Sequence, residues 1–139
     1  MKYVLILLAI FGIVVSSLAL REHYRTEGDS PCSINERWDC GIVNHSPYAT
    51  LAGIPVAILG IAGYILMAAL AWRRAWGVLL AVVLIGLGFS LYLAHVEKDI
   101  LGVWCIYCVI SLADISLITL LAIAATIASL MRKRSPISA

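Results

Sequence analysis

Four cysteines fall in two pairs, Cys32 with Cys40 and Cys105 with Cys108, in a chain of 139 residues. The second pair forms a Cys-x-x-Cys motif, Cys105-Ile106-Tyr107-Cys108. On a helix, positions i and i+3 share a face, so two such sulfurs lie close enough to bond. At a helix start the unpaired backbone N–H groups and the dipole favour a thiolate, most strongly at the first cysteine. Thiolate is the species that thiol–disulfide exchange requires. Covalent haem attachment needs a histidine directly after the second cysteine, and Val109 stands there, so that chemistry is excluded. A zinc site built from four thiolates stays open, although the 32/40 spacing is not knuckle-like. A structural disulfide is a real alternative for Cys32/Cys40, where closing a nine-residue ring would stabilise the loop by about 2.5 kcal/mol. A Cys-x-x-Cys inside a helix needs no such staple.

The elements that position these thiols are apolar. The chain is 63% hydrophobic and 13% charged, against about 45–50% and 25% in soluble domains. Its length allows one domain. No basic stripe interleaves with aromatics, which excludes nucleic-acid binding as a main function. Four apolar runs cover residues 3–20, 51–72, 75–96 and 103–131. Each is long enough, the first only just, to cross about 30 Å of hydrocarbon, and the last is long enough to tilt or emerge. The predicted fold class is therefore an all-α membrane protein, a four-transmembrane-helix bundle. Glycines at 53, 60, 63, 86 and 88 suit close helix approach in lipid.

Charge sets the expected topology. Lys2, Arg73-Arg74 and Arg132-Lys133-Arg134 fall on one side with no acidic residue among them. Arg21, Arg25, Arg37 and Lys98 on the other side are diluted by seven carboxylates, Glu97 and Asp99 included. The positive-inside rule then places both termini in the cytoplasm and the long loop, residues 21–50, outside it. Both cysteine pairs share that outer face, where disulfides persist. A thiol pair at a membrane surface facing a second pair can pass electrons between soluble proteins and a lipid-phase carrier. Ser17-Leu18-Ala19 is a weak signal-peptide cleavage site, but the 18-residue run exceeds the usual apolar region of about 7–15, so an uncleaved first span is expected. The loop holds a Gly28-Asp29-Ser30-Pro31 turn, and a loop of this length is usually functional.

A run from Cys40 through His45, Ser46, Tyr48, Ala49, Gly53 and Pro55 to Gly60 and Tyr64 resembles the stretch after the loop cysteines in bacterial vitamin K epoxide reductase homologues. Tyr92-Leu93 followed by Trp104-Cys105-Ile106-Tyr107-Cys108 is similar to their last-helix signature. The resemblance runs from about Cys32 to Ser111. It implies a four-helix bundle around a quinone of the menaquinone, ubiquinone or phylloquinone type, and a role in disulfide bond formation in the bacterial inner membrane. It also implies a relay. Cys32 would exchange with a thioredoxin-fold (DsbA-like) protein, Cys40 would attack Cys105, and Cys108, one turn deeper, would reduce the quinone. The order fits the expectation that Cys32 is farther from any span than Cys40, and Cys105 more exposed than Cys108. Ser46, Ala49 and Leu112 are the quinone-pocket candidates. Leu112 takes the place of a tyrosine that contacts the naphthoquinone in the vertebrate enzymes, and Ser46 is equally suited to capping the second helix. Many bacterial relatives carry a fused thioredoxin-like domain, whereas this chain stops at Ala139, so its partner is expected to be a separate extracytoplasmic protein.

The remaining polar residues say less. Asp114, six residues beyond Cys108, points about 120° away from it on a helix, which suggests a helix–helix hydrogen bond rather than proton delivery. His45 and His95 suit interfacial packing better than metal binding. Trp104 and Tyr107 read as interfacial anchors, as do Trp72 and Trp76 beside the arginine turn. The alternative to the redox reading is a non-enzymatic membrane scaffold or metal-binding protein with a structural loop disulfide.

Overall fold

The computed structural model describes residues 2–23, 50–51, 53–102 and 104–134. Cys32, Cys40, His45, Ser46 and Ala49 lie outside the described residues. Four helices carry the fold: α1 (Lys2–His23), α2 (Val56–Trp72), α3 (Trp76–His95) and α4 (Ile106–Arg134). A π-helical segment, Val96–Leu101, continues α3 until Gly102 takes the left-handed conformation at φ 70°. Among the described residues, three stretches are long and apolar enough to cross a membrane, namely Lys2–Arg21, Trp76–Ile100 and Ile106–Lys133. The 29 residues of α4 span about 43 Å, well beyond the hydrocarbon thickness of about 30 Å.

The second helix differs from expectation. The apolar run over 51–72 is not helical throughout, because Thr50–Leu51 (β1) and Ile54–Pro55 (β2) pair antiparallel, Thr50 with Pro55 and Leu51 with Ile54. Gly53 supplies the left-handed corner at φ 82°, a conformation that costs glycine little. Pro55 disfavours helical geometry at Ile54 and lacks an N–H, so the helix can start only after it. The 17 residues of α2 therefore reach about 25 Å. At its other end α2 closes with two reverse hydrogen bonds, Arg74 N–H to Ala71 O at 3.1 Å and Ala75 N–H to Leu70 O at 3.0 Å. Arg74 pays for that Schellman closure with a left-handed φ of 55°.

The core is a seam along all four helices: Leu5 and Ala9 from α1, Tyr64, Met67 and Ala71 from α2, Leu79 and Val83 from α3, and Ile115, Ile118 and Ala122 from α4. Small residues set the spacing. A Cβ at Gly12 would run into the Tyr64 ring, and one at Gly86 would meet Ile115 Cδ1 at 2.7 Å. Large apolar side chains such as Leu7, Ile85 and Leu120 face outward, as on helices surrounded by lipid rather than water. Hydroxyls on the long helix bond back one turn, Thr119 to Ile115 O at 2.7 Å and Thr126 to Ala122 O at 2.8 Å, which satisfies them without water.

One end of the bundle is basic. Lys2 Nζ lies 4.2 Å from the Trp72 ring centroid, and Tyr3 meets the same ring edge-on at 6.5 Å. Thr126 Oγ1, which donates to Ala122 O, also lies 3.3 Å from Trp76 O, bringing the last turns of α4 to the Arg73-Arg74 corner. The Cys-x-x-Cys motif lies at the opposite end, where α3 leads into α4.

Candidate active site

Cys105 caps α4. Its carbonyl accepts the Val109 N–H at 3.0 Å, the first bond of a helix whose N-cap residue is Cys105. Its sulfur interacts with the backbone N–H groups of Tyr107 and Cys108, two donors that a helix start leaves unpaired, and so takes the place of a capping oxygen. The Cys108 thiol also donates to it. This last hydrogen bond, helped by the two N–H groups, holds the Cys105 thiol below its ordinary value against the opposing effects of burial and of the Glu97 carboxyl. The helix start expected to activate the first cysteine is in place.

The expected order of exposure is reversed. Cys105 is 0% exposed, whereas Cys108 is half-buried and lines a cavity. A sulfur folded onto the first turn of its own helix is covered by that turn. The cysteine one turn on points between the helices.

That cavity has a volume of about 180 Å³ and is mostly apolar. It is framed by Val15, Ser16 and Ala19 of α1 and by Val56, Gly60, Gly63, Tyr64 and Met67 of α2. From α3 come Gly86, Phe89, Ser90 and Leu93, and from α4 Tyr107, Cys108, Ser111 and Ile115. On its wall the Tyr64 hydroxyl and Ser111 Oγ are 2.7 Å apart, and the Tyr64 hydroxyl lies 3.2 Å from Ser111 O. An apolar cleft with a few convergent polar groups is the usual make-up of a site for a small apolar ligand. A small, flat, largely apolar ligand with polar oxygens at its edge fits that description, with Cys108 and the hydroxyls of Tyr64 and Ser111 on the wall.

Glu97 is the site residue that sequence reasoning missed. It is 2% exposed, and its Oε2 accepts the Cys105 N–H at 3.2 Å. The Cys108 side chain lies alongside the same carboxyl, while Oε1 has no hydrogen-bond partner among the described residues. The signal was present: Gly86, Ser90, Leu93 and Glu97 step at helical spacing along one stripe, and all four line the cavity. Counting Glu97 with the neighbouring Lys98 and Asp99 as surface charge hid it. Those neighbours are exposed, and Asp99 pairs with His95, Oδ2 to Nδ1 at 2.8 Å, away from the cavity.

Of the other candidates, Leu112 packs against the core seam and is not among the cavity's lining residues. At about 100° per residue, Ser111 and Ile115 fall on the cavity side of Cys108 and Leu112 on the other. Asp114 is 5% exposed, and the expected helix–helix hydrogen bond is not seen: neither carboxyl oxygen has a hydrogen-bond partner among the described residues.

A helix bundle fit for a bilayer, with a dithiol at a helix start and one of its sulfurs open to an apolar cleft, defines a membrane thiol–disulfide redox protein. The model of the vitamin K epoxide reductase family matches residues 3–129, and the chain belongs to that family. No curated protein matches the chain. The match takes in α1 and most of α4, beyond the stretch that carried the sequence resemblance. Membership makes the protein an integral membrane thiol–disulfide oxidoreductase of a quinone-dependent family whose members generally work with thioredoxin-like partners.

Proposed function

We propose that the protein is a thiol:quinone oxidoreductase that reoxidises a separate extracytoplasmic thioredoxin-fold protein and so supports disulfide bond formation. The observation that carries this reading is the Cys105/Cys108 pair at the start of α4 with Cys108 on the wall of an apolar cavity. The proposed path is Cys32 to Cys40 to Cys105 to Cys108 to quinone. A partner thiolate attacks Cys32 of the Cys32–Cys40 disulfide and releases the Cys40 thiolate, and the partner's second thiol resolves the mixed disulfide, leaving the partner oxidised and Cys32 and Cys40 reduced. The Cys40 thiolate then attacks Cys105 of the Cys105–Cys108 disulfide and releases Cys108. Cys32 attacks Cys40 of that intermediate, re-forming Cys32–Cys40 and releasing Cys105 at the helix start, which favours its thiolate. The resulting Cys105/Cys108 dithiol gives two electrons and two protons to the quinone and closes its disulfide again. The proposed setting is the bacterial inner membrane, with four spans, both termini in the cytoplasm, and the basic end of the bundle inward by the positive-inside rule.

The test is steady-state quinone reduction by purified protein supplied with a reduced thioredoxin-fold substrate. Wild type turns over, and Cys32→Ala and Cys108→Ala each abolish turnover. Undiminished turnover in Cys108→Ala would overturn the path.

A further inference from the structure

We propose that Glu97 is the proton-transferring group of the dithiol-to-quinone step, an assignment that rests on the thiol:quinone reading and adds a residue to it. A carboxylate on the apolar wall of a membrane cavity is costly and needs a reason. The Cys105 N–H contact accounts for Oε2 only. Oε1 is buried and has no hydrogen-bond partner among the described residues. It belongs to a side chain that lines the same cavity as Cys108 and lies beside the Cys108 sulfur. The segment that carries it is π-helical, a local widening of the helix often found at functional sites.

The chemistry leaves a place for such a group. Closing the Cys105–Cys108 disulfide breaks two S–H bonds and forms one S–S bond, releasing two electrons and two protons. The quinone takes up both electrons and two protons to become the quinol. Glu97 accepts the proton from the Cys108 sulfur and passes it to a quinone oxygen, returning to its starting charge. The Cys105 proton leaves to water, and the second quinol proton enters from water, so the balance closes. General acid–base catalysis of this kind contributes about 10²–10⁴-fold when the group is within reach of the proton it moves. The other titratable side chains on the cavity wall are Tyr64, Tyr107 and Cys108, and no lysine, arginine or histidine lines it among the described residues. From its own segment, His95, Lys98 and Asp99 are exposed.

Glu97→Gln separates this role from a structural one. Glutamine keeps a carbonyl oxygen for the Cys105 N–H but cannot take up a proton. In single-turnover experiments with the full-length protein pre-reduced by dithiothreitol and mixed with menadione, quinol formation in Glu97→Gln should slow at least 100-fold and lose the pH dependence seen in wild type. Reduction of its Cys105–Cys108 disulfide by dithiothreitol should stay within threefold. Glu97→Asp, which keeps the carboxyl, should recover part of the quinol rate. Quinol formation in Glu97→Gln within threefold of wild type would overturn the assignment. So would equal loss of the quinol and dithiothreitol steps in both variants, which marks a purely structural residue. Failure of the underlying reading looks different, because Cys108→Ala would then still reduce menadione.

Discussion

Two glycine-to-alanine changes on facing helices should move stability in opposite directions. A Cβ at Gly63, a residue of the cavity lining, meets nothing within 4 Å, whereas a Cβ at Gly12 collides with the Tyr64 ring. Alanine at 63 gains the usual helix preference, at most about 1 kcal/mol, since helices persist in lipid even when the bundle comes apart. Alanine at 12 makes the same small gain but must push aside a ring that is 3% exposed and sits in the core seam. Overpacking of that kind costs about 1–3 kcal/mol. The two variants should therefore differ by about 2 kcal/mol, roughly thirtyfold in the folded-to-dissociated ratio. Reversible unfolding in bicelles, followed by tryptophan fluorescence, measures it. Activity gives a second readout. Gly63→Leu extends a four-carbon side chain into a cavity of about 180 Å³ and should raise the quinone KM at least tenfold while leaving thiol exchange intact. Destabilisation by Gly63→Ala equal to that of Gly12→Ala would refute the helix spacing, and an unchanged quinone KM in Gly63→Leu would refute the cavity as the quinone site.

Other consequences are smaller and separable. Because the Cys108 hydrogen bond is the leading cause of the lowered Cys105 value, reduced protein carrying Cys32→Ala and Cys40→Ala should keep its thiolate absorbance at a pH where an ordinary thiol is protonated. Adding Cys108→Ala should shift that titration to higher pH, as measured by ultraviolet absorbance, and an unmoved profile rejects the cause. Tyr64→Phe removes the 2.7 Å contact to Ser111 and should cost about 0.6 kcal/mol in bicelles, the usual worth of such a bond in a membrane. Arg74→Gly relieves a left-handed residue at φ 55° and should stabilise the bundle by about 1 kcal/mol. A loss of stability there would mean that the arginine side chain outweighs its backbone strain.

The sequence exposed the helices more readily than the cavity between them. Hydropathy runs locate α1, α3 and α4 to within a few residues, because lipid-facing helices are apolar on all sides. That same uniformity hides which side faces inward, so the stripe from Gly86 to Glu97 carried little contrast and Glu97 was grouped with surface charge. Pro55 marked the start of α2 plainly, but the apolar residues before it masked the two-residue hairpin. The helix-start position of Cys105 followed from its spacing and neighbours. Its burial did not, because exposure depends on how a sulfur folds onto its own first turn. Leu112 was chosen by correspondence with another protein's tyrosine, and one helical step of about 100° separates it from the lining residue Ser111.

The most direct measurement is the fate of electrons in one turnover. Reduced protein carrying Cys32→Ala and Cys40→Ala, mixed anaerobically with one equivalent of menadione, should yield one quinol per chain, with peptide mapping finding the new disulfide between Cys105 and Cys108. Quinol formed with that pair still reduced, or undiminished in Cys108→Ala, would contradict the assignment of the α4 dithiol as the quinone's electron donor.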